Sequence, residues 1–232
     1  MESKSIKSIS IILGIMAIYY ALLECLYFYN SAHIAITTNY DNIVYPGKTV
    51  SLILTSFGFV WNLLLMIWFL IMSRGTKRKA FGVLAAIALS IYIFVRACLA
   101  IQNYYLHLED TEYLGIYFTV TGVLSSIGNL LLSIAFFLMA RHLAKTKRAW
   151  SVAIGIIILV IWFFDISQGL TNVFLTKDLN PTNYVRTSNI MYAISHFFQI
   201  VKYVFMVIFF FLCSKREQKH NAGITEGLEV AQ

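Results

Sequence analysis

The chain has 232 residues, of which 59% are hydrophobic and only 12% are charged. Because soluble domains carry about 25% charged residues, this composition excludes an ordinary water-soluble protein. The formal net charge is +7, but most basic residues lie in short segments beside long apolar runs. That placement favours contact with a lipid bilayer surface and argues against nucleic-acid binding.

The apolar runs predict an all-α membrane protein with six transmembrane helices. Each run reaches the length, about 17–25 residues, that a helix needs to cross a bilayer. The predicted spans cover residues 8–29, 49–73, 80–106, 113–140, 149–175 and 187–214. They form one domain, residues 1–214, and residues 215–232 form a polar tail. The first run is too long for a signal peptide, so we interpret it as a retained span.

The segments between the spans alternate in charge. The turns 74–79 and 141–148 are basic, whereas 107–112 is acidic, and 30–48 and 176–186 are predicted polar loops. The N-terminus, the two basic turns and the tail together carry thirteen Lys and Arg residues, against three on the opposite side. Because positive residues stay in the cytoplasm, this asymmetry predicts a cell-membrane protein with both termini cytoplasmic.

A sequence repeat links the second and fourth spans. The stretch Asn62–Arg74 matches Asn129–Arg141 at eight of thirteen positions, and each copy has an amide inside an apolar helix and an arginine at its end. This match suggests three tandem helical hairpins. For Asn129 we favour a packing role, in which the amide joins neighbouring helices.

Four ionisable residues interrupt the spans, and three of them are predicted at one depth. Glu24, Arg96 and Asp165 each lie 17 positions from a basic helix start, which is about 25 Å along a helix. Lys202 lies nearer the middle of the bilayer. Ionisable groups inside a membrane are costly, so they either pair with each other or mark a functional site. The two interpretations are an ion-pair cluster that fixes helix order and a polar cup, open to the outside, that binds a small charged solute.

Polar residues extend from these charges along two spans. On the fifth span Asp165, Gln168 and Asn172 share one helix face, and on the sixth His196 and Gln199 lie close to Lys202. We therefore predict a ligand site made by the following residues: Glu24, Arg96, Asp165, Gln168, Asn172, His196, Gln199 and Lys202. No cofactor motif or metal-ligand spacing is present in the sequence, and the three cysteines form no disulfide framework.

Three functions fit this pattern. The first is a small-solute transporter or permease-like bundle. The second is a membrane sensor or signalling module, with a cytoplasmic protein partner on the basic turns. The third is an intramembrane enzyme, in which His196 would activate Ser125 or Ser126. The sequence shows no identifiable oxyanion site for such an enzyme, so no catalytic residue is assigned.

Overall fold

The computed structural model describes residues 2–38, 48–74, 79–101, 111–175 and 181–215. Within these ranges it contains six α-helices and no strand. They are α1 (Glu2–Thr37), α2 (Lys48–Arg74), α3 (Ala80–Ile101), α4 (Thr111–Ala140), α5 (Lys145–Leu175) and α6 (Pro181–Ser214). Each contains a segment long and apolar enough to cross a membrane. The predicted all-α class, with six helices of membrane-spanning length, is confirmed.

Several helix ends lie inside the predicted connecting segments, and α5, for example, begins at Lys145 within the predicted turn 141–148. The loop predicted from residue 30 is wrong at its start, because α1 continues to Thr37 and ends where Thr38 adopts a left-handed backbone with φ 52°. Ala35 is buried in this extension and lines a shallow apolar groove shared with Ala193 of α6, so packing sustains the helix. The loop predicted over 176–186 is also too long, because α6 begins at Pro181. Proline suits the first helical turn, where its missing N–H is not needed.

The six helices form a closed ring in the order of the chain. Each helix packs against the next one, and α6 closes the ring against α1. Among the described residues no other pair of helices brings Cα atoms within 8 Å of each other, so the remaining pairs meet only through their side chains. The contact between α1 and α6 is the most extensive, and that between α1 and α2 the smallest. A ring of this kind has an interior that only side chains can fill.

Aromatic side chains fill that interior at the end of the bundle where α2, α4 and α6 finish and α3 begins. We call this cluster the aromatic floor; its members are all fully buried, and they are Trp68, Phe69, Phe81, Phe136, Phe209 and Phe210. Their rings meet edge to face, for example Trp68 with Phe210 at 5.3 Å and Phe69 with Phe136 at 5.2 Å between centroids. Such contacts add attraction beyond the area they bury. This is also the end that carries Arg74, Lys79 and Arg141, all exposed.

Hydrogen bonds between helices hold the ring together around the floor. The Trp68 indole N–H donates to Ser10 Oγ at 2.9 Å and so joins α2 to α1. Ser133 donates to the Gly155 carbonyl and Ser151 to the Phe136 carbonyl, both at 2.8 Å, and these two bonds join α4 to α5. Small polar residues of this kind allow helices to approach closely in a membrane.

Candidate functional site

A cavity of about 260 Å³ lies inside the ring, next to the aromatic floor. All six helices contribute to its wall, which places it centrally in the bundle. Its lining residues are Glu24, Trp61, Asn62, Leu65, Leu89, Tyr92, Arg96, Ser125, Asn129, Leu132, Ile158, Asp165, Gln199, Lys202, Tyr203 and Met206. Leu65, Leu132 and Met206 lie about one helical turn before residues of the floor. The floor therefore closes the cavity at the basic end of the bundle.

The structure brings together most of the predicted ligand residues. Glu24, Arg96, Asp165, Gln199 and Lys202 all line the cavity. His196 lies behind this wall, in contact with Glu24. The side chains of Gln168 and Asn172 fall outside the described part of the structure, although α5 continues through both positions.

The two acidic side chains of the cavity are held by neutral or weakly basic neighbours. His196 Nδ1 lies 2.7 Å from Glu24 Oε2, which links α6 to α1 across the most extensive helix contact of the ring. Asp165 accepts a hydrogen bond from Asn129 Nδ2 at 3.1 Å. Each carboxylate is therefore oriented by the protein itself, and its remaining acceptor positions are available at the cavity wall.

Asn129 connects the acid of α5 to a tyrosine of α3. The Tyr92 hydroxyl donates to Asn129 Oδ1 at 2.5 Å, while Asn129 Nδ2 donates to Asp165. The amide thus uses both of its ends, and α3, α4 and α5 are joined through one side chain. The predicted packing role of this asparagine agrees with these bonds, but the bonds also place it in the wall of the cavity.

The two basic side chains of the cavity have no acidic neighbour at ion-pair distance. Among the described residues, no carboxylate lies within 4.0 Å of Arg96 or Lys202. Lys202 donates to Gln199, and its Nζ lies 4.2 Å from the centre of the Tyr203 ring. A cation over an aromatic face is stabilised by the ring quadrupole, but its charge is not neutralised. The four charges therefore do not form the compact ion-pair cluster that was one of the two interpretations of the sequence.

The position of Arg96 depends on a glycine of the neighbouring helix. A Cβ atom added to Gly58 of α2 would collide with the Arg96 guanidinium. Only glycine lets the guanidinium lie this close to the α2 backbone. The side chain is thereby held against α2 and beside the cavity.

Sequence reasoning did not assign several residues of the wall to the site. Asn62 of α2 is 5% exposed and its Nδ2 has no hydrogen-bond partner in the structure. It was singled out only as a member of the repeat with Asn129. The available signal was an amide in the middle of an apolar helix, where a polar side chain needs a hydrogen-bond partner. Tyr92, Trp61 and Tyr203 gave no such signal, because aromatic residues are common in membrane helices.

The cavity brings together two cations, two carboxylates and several hydrogen-bond donors beside an aliphatic wall. Among the described residues no group of three histidine, cysteine or acidic side chains is arranged to hold a metal ion. Comparison with protein-family models, with curated proteins and with solved structures finds no match to this chain.

Proposed function

We propose that this multi-pass membrane protein is a small-solute transporter or permease-like bundle whose central cavity binds a polar solute. One observation carries the proposal: a polar cavity lies at the centre of a closed helical ring, and all six helices line it. Ionisable side chains inside a membrane protein typically face such solute pathways. A bundle that served only as a scaffold would gain nothing from keeping four charged groups apart around a cavity.

The aromatic floor supports a direction of access. The end of the bundle that holds the floor also carries the basic turns, and the positive-inside rule assigns that end to the cytoplasm. In this orientation both termini are cytoplasmic, the floor separates the cavity from the cytoplasm, and solute enters from the outside. Transport would then require the floor to open, since Trp68 and Phe210 block the interior in the conformation described.

The hairpin repeat is part of the same proposal. Asn62 and Asn129 match in sequence and both line the cavity, on the second and fourth helices of the ring. In this scheme equivalent helices of an ancestral hairpin came to face one common site. The different bonding of the two amides is then a later specialisation of each copy.

The first test is a binding screen. The purified protein in mild detergent is heated in the presence of amino acids, sugars, nucleosides, organic ions and lipids. A solute present at 100 times its Kd stabilises the folded state by about 2.7 kcal/mol, which raises the melting temperature. The best solute is then followed into proteoliposomes, where uptake is measured directly.

Two variants decide between transport and its alternatives. Asp165→Asn is expected to abolish uptake while expression is retained, whereas Lys145→Gln, at an exposed position at the start of α5, leaves uptake unchanged. A solute that binds but is not taken up by the wild-type protein would contradict transport and favour the sensor. Absence of any stabilising solute, together with uptake unaffected by Asp165→Asn, would show that the charged layer is structural.

A further inference from the structure

We propose that the cavity selects a small organic oxyanion with an apolar body, such as a carboxylate, and holds its charged group between Arg96, Lys202 and Asn62. This assignment of a substrate class rests on the proposed role of the cavity as a solute site. It follows from which polar groups of the wall are already satisfied and which are not. The three donors come from three helices, α3, α6 and α2, and all line the one cavity.

Asn62 is the clearest sign of a missing partner. Its side chain is 5% exposed, it lines the cavity, and its Nδ2 donates to nothing in the structure. Buried amide groups are nearly always hydrogen-bonded, because an unmade bond in an apolar setting is costly. The equivalent asparagine of α4 makes two bonds. The difference leaves Asn62 with a donor beside the cavity that no described residue uses.

The two cations point to the same ligand chemistry. Arg96 brings a guanidinium with five N–H donors and no acceptor to the cavity wall. Neither it nor Lys202 has a carboxylate of the described residues within ion-pair distance. Both side chains are half-buried, and a half-buried charge without a partner is unfavourable, so an incoming anion would supply that partner. The planar guanidinium also matches the two oxygens of a carboxylate, which the point charge of a lysine does not.

The acids of the cavity do not compete for this role. Glu24 is hydrogen-bonded to His196 and Asp165 to Asn129, so each acid has one donor from the protein. Among the described residues neither cation has a carboxylate within ion-pair distance. A simple amine entering the cavity would be repelled by both cations. The electrostatic balance of the wall therefore favours an anion over a cation.

The remaining wall favours an apolar body on the solute. Five aliphatic or thioether side chains line the cavity, namely Leu65, Leu89, Leu132, Ile158 and Met206. An inorganic anion would leave this surface uncovered, whereas a short alkyl or aromatic group would cover it. The volume, about 260 Å³, lies below the range of about 300–1,000 Å³ that is usual for drug-sized ligands. The solute is therefore small.

Calorimetric titration of the full-length protein in detergent tests this inference with four matched probes. Hexanoate carries both features, hexanamide lacks the charge, hexylamine reverses it, and inorganic phosphate is an oxyanion without an apolar body. We expect hexanoate to bind at least tenfold more tightly than each of the other three. We also expect Arg96→Gln and Asn62→Leu each to weaken hexanoate binding at least tenfold. Arg141→Gln, an exposed position just after α4, is the matched control and leaves the affinity unchanged.

The outcomes distinguish failure of the substrate class from failure of the proposed function. Preferential binding of hexylamine would overturn the anion assignment while the cavity remained a solute site. Equal affinity for phosphate and hexanoate would overturn the apolar body. Hexanoate binding that survives both cavity variants would show that the anion binds elsewhere. If the cavity variants abolish binding of another solute from the broader screen and hexanoate does not bind, the substrate class fails and the solute site stands.

The melting temperature of each variant without ligand confirms that it is folded, and Asn62→Leu, which removes an unsatisfied group, is expected to fold normally.

Discussion

Replacing each asparagine of the repeat by leucine should have opposite effects on stability. The two residues match in sequence and both line the central cavity, but their bonding differs. Asn62 is 5% exposed with an unpartnered Nδ2, whereas Asn129 accepts from Tyr92 and donates to Asp165. Leucine has the same number of side-chain heavy atoms as asparagine, the same branch at Cγ and no polar atoms, so each substitution removes the amide and keeps the overall shape.

The magnitudes follow from these bonds. A buried donor without a partner costs about 1–3 kcal/mol, and an apolar group of the same shape removes that cost. Asn62→Leu is therefore expected to raise the free energy of unfolding by about 1 kcal/mol. Hydrogen bonds between membrane helices contribute about 0.6 kcal/mol each, so loss of the two bonds of Asn129 removes about 1.2 kcal/mol. Since Tyr92 and Asp165 also lose a partner, Asn129→Leu is expected to lower the free energy of unfolding by about 1–3 kcal/mol.

Equilibrium unfolding in mixed detergent micelles, with the wild-type protein as reference, measures both changes. The changes in the free energy of unfolding are expected to have opposite signs and to differ by roughly 2–4 kcal/mol between the two variants. Equal destabilisation by both would refute it, because Asn62 would then have to make bonds as strong as those of Asn129. That result would also remove the main support for an anion held at Asn62. If Asn62→Leu is more stable than the wild-type protein and no longer binds hexanoate, then Asn62 supports binding at the expense of stability.

Two further predictions concern the walls of the ring. Gly58→Ala is expected to displace the Arg96 guanidinium and to weaken solute binding about tenfold, or 1.4 kcal/mol; Gly122→Ala, where an added Cβ meets nothing within 4 Å, is the control and leaves binding unchanged. Equal effects of the two alanines in the titration would contradict a specific role for Gly58. Trp68→Phe removes the bond to the fully buried Ser10 and leaves a void among the rings of the aromatic floor, so it is expected to lower the free energy of unfolding by about 1–3 kcal/mol. A double-mutant cycle with Ser10→Ala should give a coupling near 0.6 kcal/mol, and a coupling of zero would show that the bond does not contribute.

The helices themselves could be predicted from the chain, apart from their ends. Apolar run length located all six, because a membrane requires about 20 apolar residues in each crossing. The predicted ends were less accurate, because polar residues do not end a helix whose side chains continue to pack against a neighbouring helix. Asn30 and Ser31 suggested a loop, yet both are buried in α1 as it continues beside α6. Residues 176–186 looked like one loop, yet Pro181 begins α6.

The candidate site was predictable in its members and not in their pairing. The rise per residue of a helix, and the alternating direction in which successive helices cross the membrane, were enough to predict that four charged residues lie near one another. All four line the cavity: Glu24, Arg96, Asp165 and Lys202. Which group meets which could not be predicted. Glu24 contacts His196, a residue 172 positions away, rather than Arg96. Side-chain pairing depends on the rotation of each helix about its axis, and a long apolar helix carries little information about that rotation.

The sequence by itself determined that this chain is a six-helix membrane protein and that a few polar residues interrupt its apolar helices. Those properties are local, since the cost of placing a residue in lipid depends mainly on that residue and its depth. Only the tertiary structure decided that the six helices close into a ring, that aromatic side chains fill one end, and that a cavity lined by the four charged side chains remains beside them. It also decided that Asn129 is bonded and Asn62 is not, although their surroundings in the sequence are alike. The physical reason is that an amide takes its role from the side chains of neighbouring helices, which only the packed ring brings within hydrogen-bond distance.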